Sequence, residues 1–409
     1  MKGLPSLSLF FWNQRGFSFE VEGACKSLGK EYIVRCGVDF NGTGYLKSIG
    51  PTPRRGKFQP DPDVAGVGII SSMIAQAIAV CLLALWTLYL KKRNSKIWLE
   101  FFTGFLFSVS DMSSILSLAY IINFMLTGKC KMSTYHYYIV LDTVLLACST
   151  IALTFHSCRH VFFSTRGWIL RVPVALLIFC LLGIFLSYQF FVHTKNNFPE
   201  WVPPVGRNDS GLLLPVSCFF DIDLMNGKEN PFSPHRQIKK PGKPGEKKSK
   251  PVYVHEPLTE TQLDRLGHPI QNYKIPHFYL YGLLTLSLIL AIIFNIWQHF
   301  VVDRRARASK TTPKERRGLG RYARWAFRSL VYGISILCTI FCTVHMLKLR
   351  SWAEHSGWLI DESESRWYSL GQLLPPMALG ISLFMLLDSW GEKRRRVKGA
   401  GLNLSQKGE

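Results

Sequence analysis

Acidic residues are scarce in this chain: 27 Asp and Glu stand against 49 Lys and Arg in 409 residues. Short catalytic motifs are scarcer. There is no phosphate-cradling Walker loop, no serine nucleophile elbow and no HExxH, so nucleotide hydrolysis, esterase-type acyl transfer and zincin proteolysis are excluded in their usual forms. The aspartate-rich pairs that hold metal ions in prenyl-transferring enzymes are missing from the apolar stretches. No zinc-type Cys/His spacing and no nucleic-acid module accompanies the net charge of +22, so the basic balance does not point to nucleic acid. Internal repeats are also lacking, which leaves the inverted-repeat architecture of many transporters without support. Leu7 to Trp12 form only a short apolar patch with no small-residue cleavage site, so the first long apolar stretch is expected to act as the insertion signal.

What the chain has is apolar residues gathered into blocks. It is 48% apolar, with 28 Phe, 15 Tyr and 11 Trp. Blocks of about 20 residues with few charges match the length that crosses ~30 Å of hydrocarbon, and each can satisfy its backbone there only as a helix. The expected fold class is all-α, a polytopic membrane helix bundle with about seven spans: Val64–Leu90, Phe101–Leu126, Tyr138–Phe163, Ile169–Val192, His277–Val302, Phe327–Leu349 and Tyr368–Asp388. Trp98, Trp168, Trp297, Trp325, Trp367 and Trp390 fall at or near span ends, as an interfacial aromatic belt places them. The organisation follows: 1–63 a non-cytosolic segment, 64–192 spans one to four, 193–276 a non-cytosolic loop, 277–388 spans five to seven, and 389–409 a cytosolic basic tail. Within the long loop, Pro234 to Pro251 reads as a disordered tether rich in Pro, Gly and Lys.

Orientation comes from the short loops. Lys91 to Lys96 is basic, the third loop carries Arg166 and Arg171, and the fifth holds ten Lys or Arg against two acids between Asp303 and Arg328. The sixth loop is acidic, with Glu354, Asp361, Glu362 and Glu364. The positive-inside rule then puts the N-terminus outside the cytosol and the C-terminus inside, in an endoplasmic-reticulum or plasma membrane. The sequons at Asn41 and Asn208 both fall on the expected outer side, whereas that at Asn403 falls inside. Cys25, Cys36, Cys130 and Cys218 are outside as well, which leaves three pairings open. Cys25 and Cys36 bracket a short loop and are expected to pair, with Cys130–Cys218 as a second bond. The other six cysteines lie in spans, where packing is their ordinary role.

Several motifs stand in a characteristic order. Asp61-Pro62-Asp63-Val64-Ala65-Gly66-Val67-Gly68 opens the first span, Phe107 to Asp111 lies in the second, Met132 to His136 precedes the third, and Arg366 to Gln372 leads into the seventh. In this the chain resembles a large group of integral membrane proteins of filamentous fungi, largely without assigned activities. The resemblance covers about a third of the chain and rests on the order of short motifs. Some members of such groups occur in secondary-metabolite gene clusters, and some cluster-encoded membrane proteins look like cyclases of prenylated substrates, so the resemblance implies a terpene-cyclase-like activity. The chain departs from the group at Met112-Ser113 and at Asp142, where the group commonly has a Gln and apolar residues.

The chemistry to be explained is carboxylic acid inside apolar helices. A charge at the bilayer centre costs at least ~2.5–3.5 kcal/mol, so Asp111 and Asp142 need a partner or a role. Helical spacing puts Tyr138, Asp142, Ser149 and His156 on one face, and Thr103, Ser110, Ser114 and Ser117 in a stripe flanked by Asp111. A desolvated carboxyl group that stays protonated could start an acid-driven rearrangement of a lipophilic substrate, with Asp142, Asp111 and His156 as candidate catalytic residues. The plainer reading is that both acids are glue between helices. Gln76, Tyr138, His136 and Gln372 are candidate binding residues, each with an ordinary packing or anchoring alternative. Asp61 and Asp63 suit a helix N-cap. His156, His160, His299 and His345 lack metal-site spacing with carboxylate partners, so neither a metal nor another cofactor is expected. Partners are lipids and a lipophilic small molecule, and the oligomeric state is open. A metal-independent, acid-initiated terpene or meroterpenoid cyclase is the favoured function; a seven-helix receptor or sensor, or a structural membrane protein, is the alternative. The basic fifth loop suits the receptor reading, and the buried acids suit the enzyme.

Overall fold

The apolar stretches become long helices in the computed structural model. It describes residues 11–13, 16–18, 38–49, 54–59, 61–93, 95–128, 130, 132–158, 168–196, 198–220, 236–239, 253–256, 259–266, 276–297, 319–360, 376, 377 and 380. Three antiparallel hairpins pair β1 (Phe11–Asn13) with β2 (Gly16–Ser18), β3 (Val38–Phe40) with β4 (Leu46–Ile49), and β5 (Arg236–Lys239) with β6 (Tyr253–Glu256). The helices, in chain order, are α1 (Pro62–Ala65), α2 (Val67–Lys92), α3 (Lys96–Asn123), α4 (Thr134–Ser157), α5 (Trp168–Asn196), α6 (Ser217–Phe220), α7 (Glu260–Leu266), α8 (Pro276–Trp297) and α9 (Leu319–His355).

Six helical segments are long and apolar enough to cross a membrane: Pro62–Lys92, Trp98–Asn123, Thr134–Ser157, Ile169–Phe190, Pro276–Phe294 and Ala326–His355. They match the first six expected spans, with ends shifted by up to about two turns. The protein is thus an all-α polytopic membrane bundle. The seventh expected span, Tyr368–Asp388, lies outside the described residues apart from 376, 377 and 380.

Local chemistry sets several helix ends. The Asp61 carboxylate accepts from the Asp63 N–H and Pro62 stands at the first position of α1, so the capping reading of Asp61 holds. Gly66 is extended and divides α1 from α2. Ser133 caps α4 by accepting from the His136 N–H.

The arrangement turns on α4. Every residue from Thr134 to His156 is buried, because α2, α3, α8 and α9 pack around it and α5 adds a smaller contact. A helix apolar on all sides belongs at the centre of a bundle, and this one is also the helix that carries Asp142. Leu82, Ile115, Leu170, Ile293 and Leu337, on the surrounding helices, are exposed and form the apolar outer surface.

One end of the bundle is capped. Ser133 bridges Pro215 in antiparallel fashion, with Thr134 N–H donating to Leu214 O and Val216 N–H to Met132 O. Cys130 and Cys218, on the two segments that this bridge joins, are both disulfide-bonded. Leu46 N–H donates to the Asp209 carboxylate, and Phe58 pairs with Trp358 and Ile360, so the β3–β4 hairpin and the chain after α9 join the same cap. Much of the long loop, from Phe198 to Phe220, is therefore folded onto the helix ends. Arg236–Lys239, inside the stretch expected to be a disordered tether, is a strand paired with Tyr253–Glu256. A lysine-rich composition hid an alternation that two strands can use.

Candidate functional site

Asp142 sits two turns below the capped end of α4 and is completely buried. Its two oxygens meet two different histidines. His277 Nε2, at the start of α8, is 3.0 Å from Oδ1, and His345 Nδ1, on α9, is 2.6 Å from Oδ2. The far nitrogen of His345, Nε2, is 3.0 Å from the Trp201 carbonyl in the cap. A carbonyl only accepts, so Nε2 carries a proton and donates it. One further proton must then lie between His345 Nδ1 and Asp142 Oδ2, on either atom. In both arrangements the Asp142–His345 pair is neutral overall, which removes most of the cost of a lone charge in hydrocarbon. His277 donates Nε2–H to Oδ1 when neutral, and its Nδ1 is buried with no partner among the described residues.

Aromatic rings close the site. Tyr138, one turn before Asp142, has its ring centroid 5.7 Å from that of His277 and 5.6 Å from that of His345. Phe341 stacks on His345 and meets His277 edge-on, while Trp201 lies 5.1 Å from His345 and stacks on Phe341. The Tyr138 hydroxyl turns away and donates to Pro199 O at 3.1 Å, so this residue gives the site its face and not its oxygen. Cys342, one turn before His345, is buried with its thiol 3.9 Å from Cys338 Sγ.

The ligand-capable atoms of Asp142, His277 and His345 all lie within 4.8 Å of one another, close enough to surround one ion. His345 therefore has a carboxylate partner, contrary to the reading of its spacing. Sequence separations of 135 and 203 residues conceal the cluster from any motif search. One signal was present: Asp142 and His345 stand at similar depths from span ends on the same side of the membrane. His277, at the very start of its span, gave no such sign.

The other expected site residues lie elsewhere. His156 is on the Asp142 helix but about 21 Å further along at 1.5 Å per residue, against the rings of Phe327 and Tyr332. A shared helix face does not make a shared site. Ser149 donates to the Ser335 carbonyl. Asp111 is not an acid sealed in an apolar cavity: Arg171 holds it through Nε at 2.9 Å and Nη2 at 2.7 Å, and the carboxylate is 39% exposed. Gln76 accepts from the Ser113 hydroxyl at 2.9 Å and ties α2 to α3. His136 is buried in the cap junction. Its Nε2 accepts from the Asp61 N–H, so Nδ1 carries the proton and donates to Ser133 Oγ at 2.7 Å. Gln372, Cys25, Cys36, His160 and His299 lie outside the described residues.

Asn41 and Asn208 are both exposed in the capped end, and the Leu46–Asp209 hydrogen bond holds their loops together. Glu200, next to Trp201, forms an ion pair with Arg207 at 3.2 Å. Burial pushes its carboxyl above the ordinary carboxylate range, and the guanidinium opposes that shift. No family model, curated protein or solved structure matches the chain.

Proposed function

We propose that this protein is a membrane-embedded enzyme that uses the Asp142–His277–His345 centre as acid and base on a lipophilic small molecule. The observation that supports this most directly is the 2.6 Å contact between His345 Nδ1 and Asp142 Oδ2, buried on both sides, which requires a proton between them. A proton there is available without a net charge entering the hydrocarbon. Tyr138, Phe341 and Trp201 pack their rings 5.6, 5.9 and 5.1 Å from that of His345, and aromatic π surface stabilises cations. A protonated alkene or epoxide is the kind of intermediate this arrangement suits, so an isoprenoid or prenylated substrate and an isomerase- or cyclase-type reaction are proposed. This agrees with the fungal resemblance. Asp142 with His345 supplies the proton, and His277 Nδ1 is the base that can take one back.

The proposed orientation places the capped end, with Asn41, Asn208 and the disulfide-bonded Cys130 and Cys218, on the lumenal or outer side, where disulfides persist and glycans are added. The basic chain between α8 and α9 then faces the cytosol.

The test is Asp142→Asn. An amide can donate to neutral His345 Nδ1 and accept from His277 Nε2, so every hydrogen bond is kept while the acidic proton is lost. Microsomes with normal levels of the variant are expected to lose product formation from prenylated substrates by at least about a hundredfold. Unchanged turnover would remove the acid role.

A further inference from the structure

The donor set of this centre is richer than acid–base chemistry needs. A carboxylate and two imidazoles converge from three helices, all buried. His277 Nδ1 adds a buried nitrogen with no partner among the described residues. We infer that Asp142, His277 and His345 together form a binding site for one divalent cation of the zinc class.

Two features carry this. The first is the ligand chemistry. Zn²⁺ takes imidazole and carboxylate ligands in tetrahedral geometry, and two nitrogens and one oxygen supply three of the four, as in zinc sites that keep one position open. The second is the surrounding hydrogen bond. A metal-bound histidine usually donates its other N–H to a carbonyl or carboxylate, which fixes the ring. His345 already does this through Nε2–H to Trp201 O. Binding through Nδ1 therefore leaves that bond intact.

An ion held by His345 Nδ1 and Asp142 takes the place of the proton between them, and that proton leaves.

Metal and acid proton are therefore alternatives at the same atoms. On the acid–base reading given above, on which this consequence alone rests, the metal-loaded form is the inactive one, and chelation raises turnover. Metal binding itself is independent of that reading.

The experiment uses the full chain, expressed in membranes with a tag free of histidine and purified in detergent. Elemental analysis by plasma mass spectrometry is expected to find about one zinc per chain after equilibration with zinc and gel filtration. His277→Ala and Asp142→Asn are expected to lower this at least about tenfold, the usual scale for lost ligands or their supports. Cobalt loaded after chelation supplies a second readout, the visible bands of a four-coordinate ion, which His277→Ala should abolish. Folded wild-type protein that takes up neither zinc nor cobalt would overturn the inference, as would equal zinc in the wild type and both ligand variants. Zinc bound at one equivalent with no turnover under any condition would uphold the site and sink the acid–base reading. Full turnover in a chain that binds no metal would do the reverse.

Discussion

Asp142 and Asp111 are both carboxylates in membrane-spanning helices, and the protein holds them in opposite ways. Asp142 lies on the central helix, enclosed on every side, between two histidines that share protons with it. Asp111 lies on a peripheral helix, 39% exposed, against a permanently charged guanidinium. One pairing leaves the proton mobile and the other fixes the charge, because arginine does not give its proton up. On the proposed reading, the same residue type in the same kind of helix thus becomes a reactive centre or a structural clamp according to its partner. The most informative experiments treat the two sites in parallel.

The largest effect is expected from deleting the central acid. Asp142→Leu leaves His277 Nε2 and His345 Nδ1 buried without their partner, and breaking a buried pair from one side costs about 3–5 kcal/mol. Membrane expression should fall to a small fraction of wild type on immunoblots, while Asp142→Asn stays near normal. Equal levels of the two variants would mean that the histidines do not depend on the carboxylate. At the peripheral site, Arg171→Leu leaves Asp111 alone in the span, at about 2.5–3.5 kcal/mol on insertion scales. Asp111→Asn is milder, since Arg171 stands near the start of α5 and its long stem can carry the charge toward the interface. The double variant Asp111→Asn/Arg171→Leu should regain most of the loss in detergent thermal stability. If it does not, the ion pair is not the reason Asp111 is tolerated.

The contrast between the two acids also marks how far the sequence could be read. The six described spans were legible because an uninterrupted apolar stretch has one stable form in hydrocarbon. That Asp111 and Asp142 required partners was legible too, since insertion cost is a property of the residue. Which partners they take was not. Arg171 read as a cytosolic loop charge, and the structure places it in the first turn of α5, reaching across to α3. His277 and His345 come from helices far along the chain, and nothing local to either says which face it presents. Periodicity assigned Asp142 and His156 to one face correctly, but it carries no depth, and about 21 Å of helix separates them. Cys130 and Cys218, expected to bond to each other, are both disulfide-bonded.

A smaller effect tests the packing that holds α8, and hence His277, in place. A Cβ built on Gly183 of α5 would lie 2.2 Å from the Tyr281 hydroxyl and 2.9 Å from Cζ of its ring. Tyr281 donates to the Phe179 carbonyl at 2.8 Å, so it cannot retreat without losing that bond. Gly183→Ala should therefore destabilise by about 1–3 kcal/mol, the usual cost of overpacking. Tyr281→Phe in the same chain removes the nearest clash and should restore part of it. A silent Gly183→Ala, judged by thermal stability in detergent, would show that α5 and α8 adjust freely. His277 would then be held by Asp142 more than by helix packing.

The smallest effect belongs to Glu200, beside the residue whose carbonyl orients His345. Burial raises this carboxyl above its ordinary value of about 4.5, and Arg207 at 3.2 Å recovers only part of the cost. A raised value means that the folded state favours the protonated form. Its stabilising contribution is present at pH below the unfolded-state value and is lost as pH rises through the folded-state value. The cap should therefore loosen slightly, not tighten, between mildly acidic and neutral pH. Glu200→Gln mimics the protonated form, so it should match wild type at pH near 4 and exceed it slightly at neutral pH, by less than about 1 kcal/mol. Hydrogen exchange of the backbone from Phe198 to Phe220, compared at the two pH values after correction for intrinsic rates, reads the effect locally. A Gln variant less protected at neutral pH would mean that the Arg207 ion pair outweighs desolvation, and that the charge on Glu200 helps to hold the Trp201 carbonyl over His345.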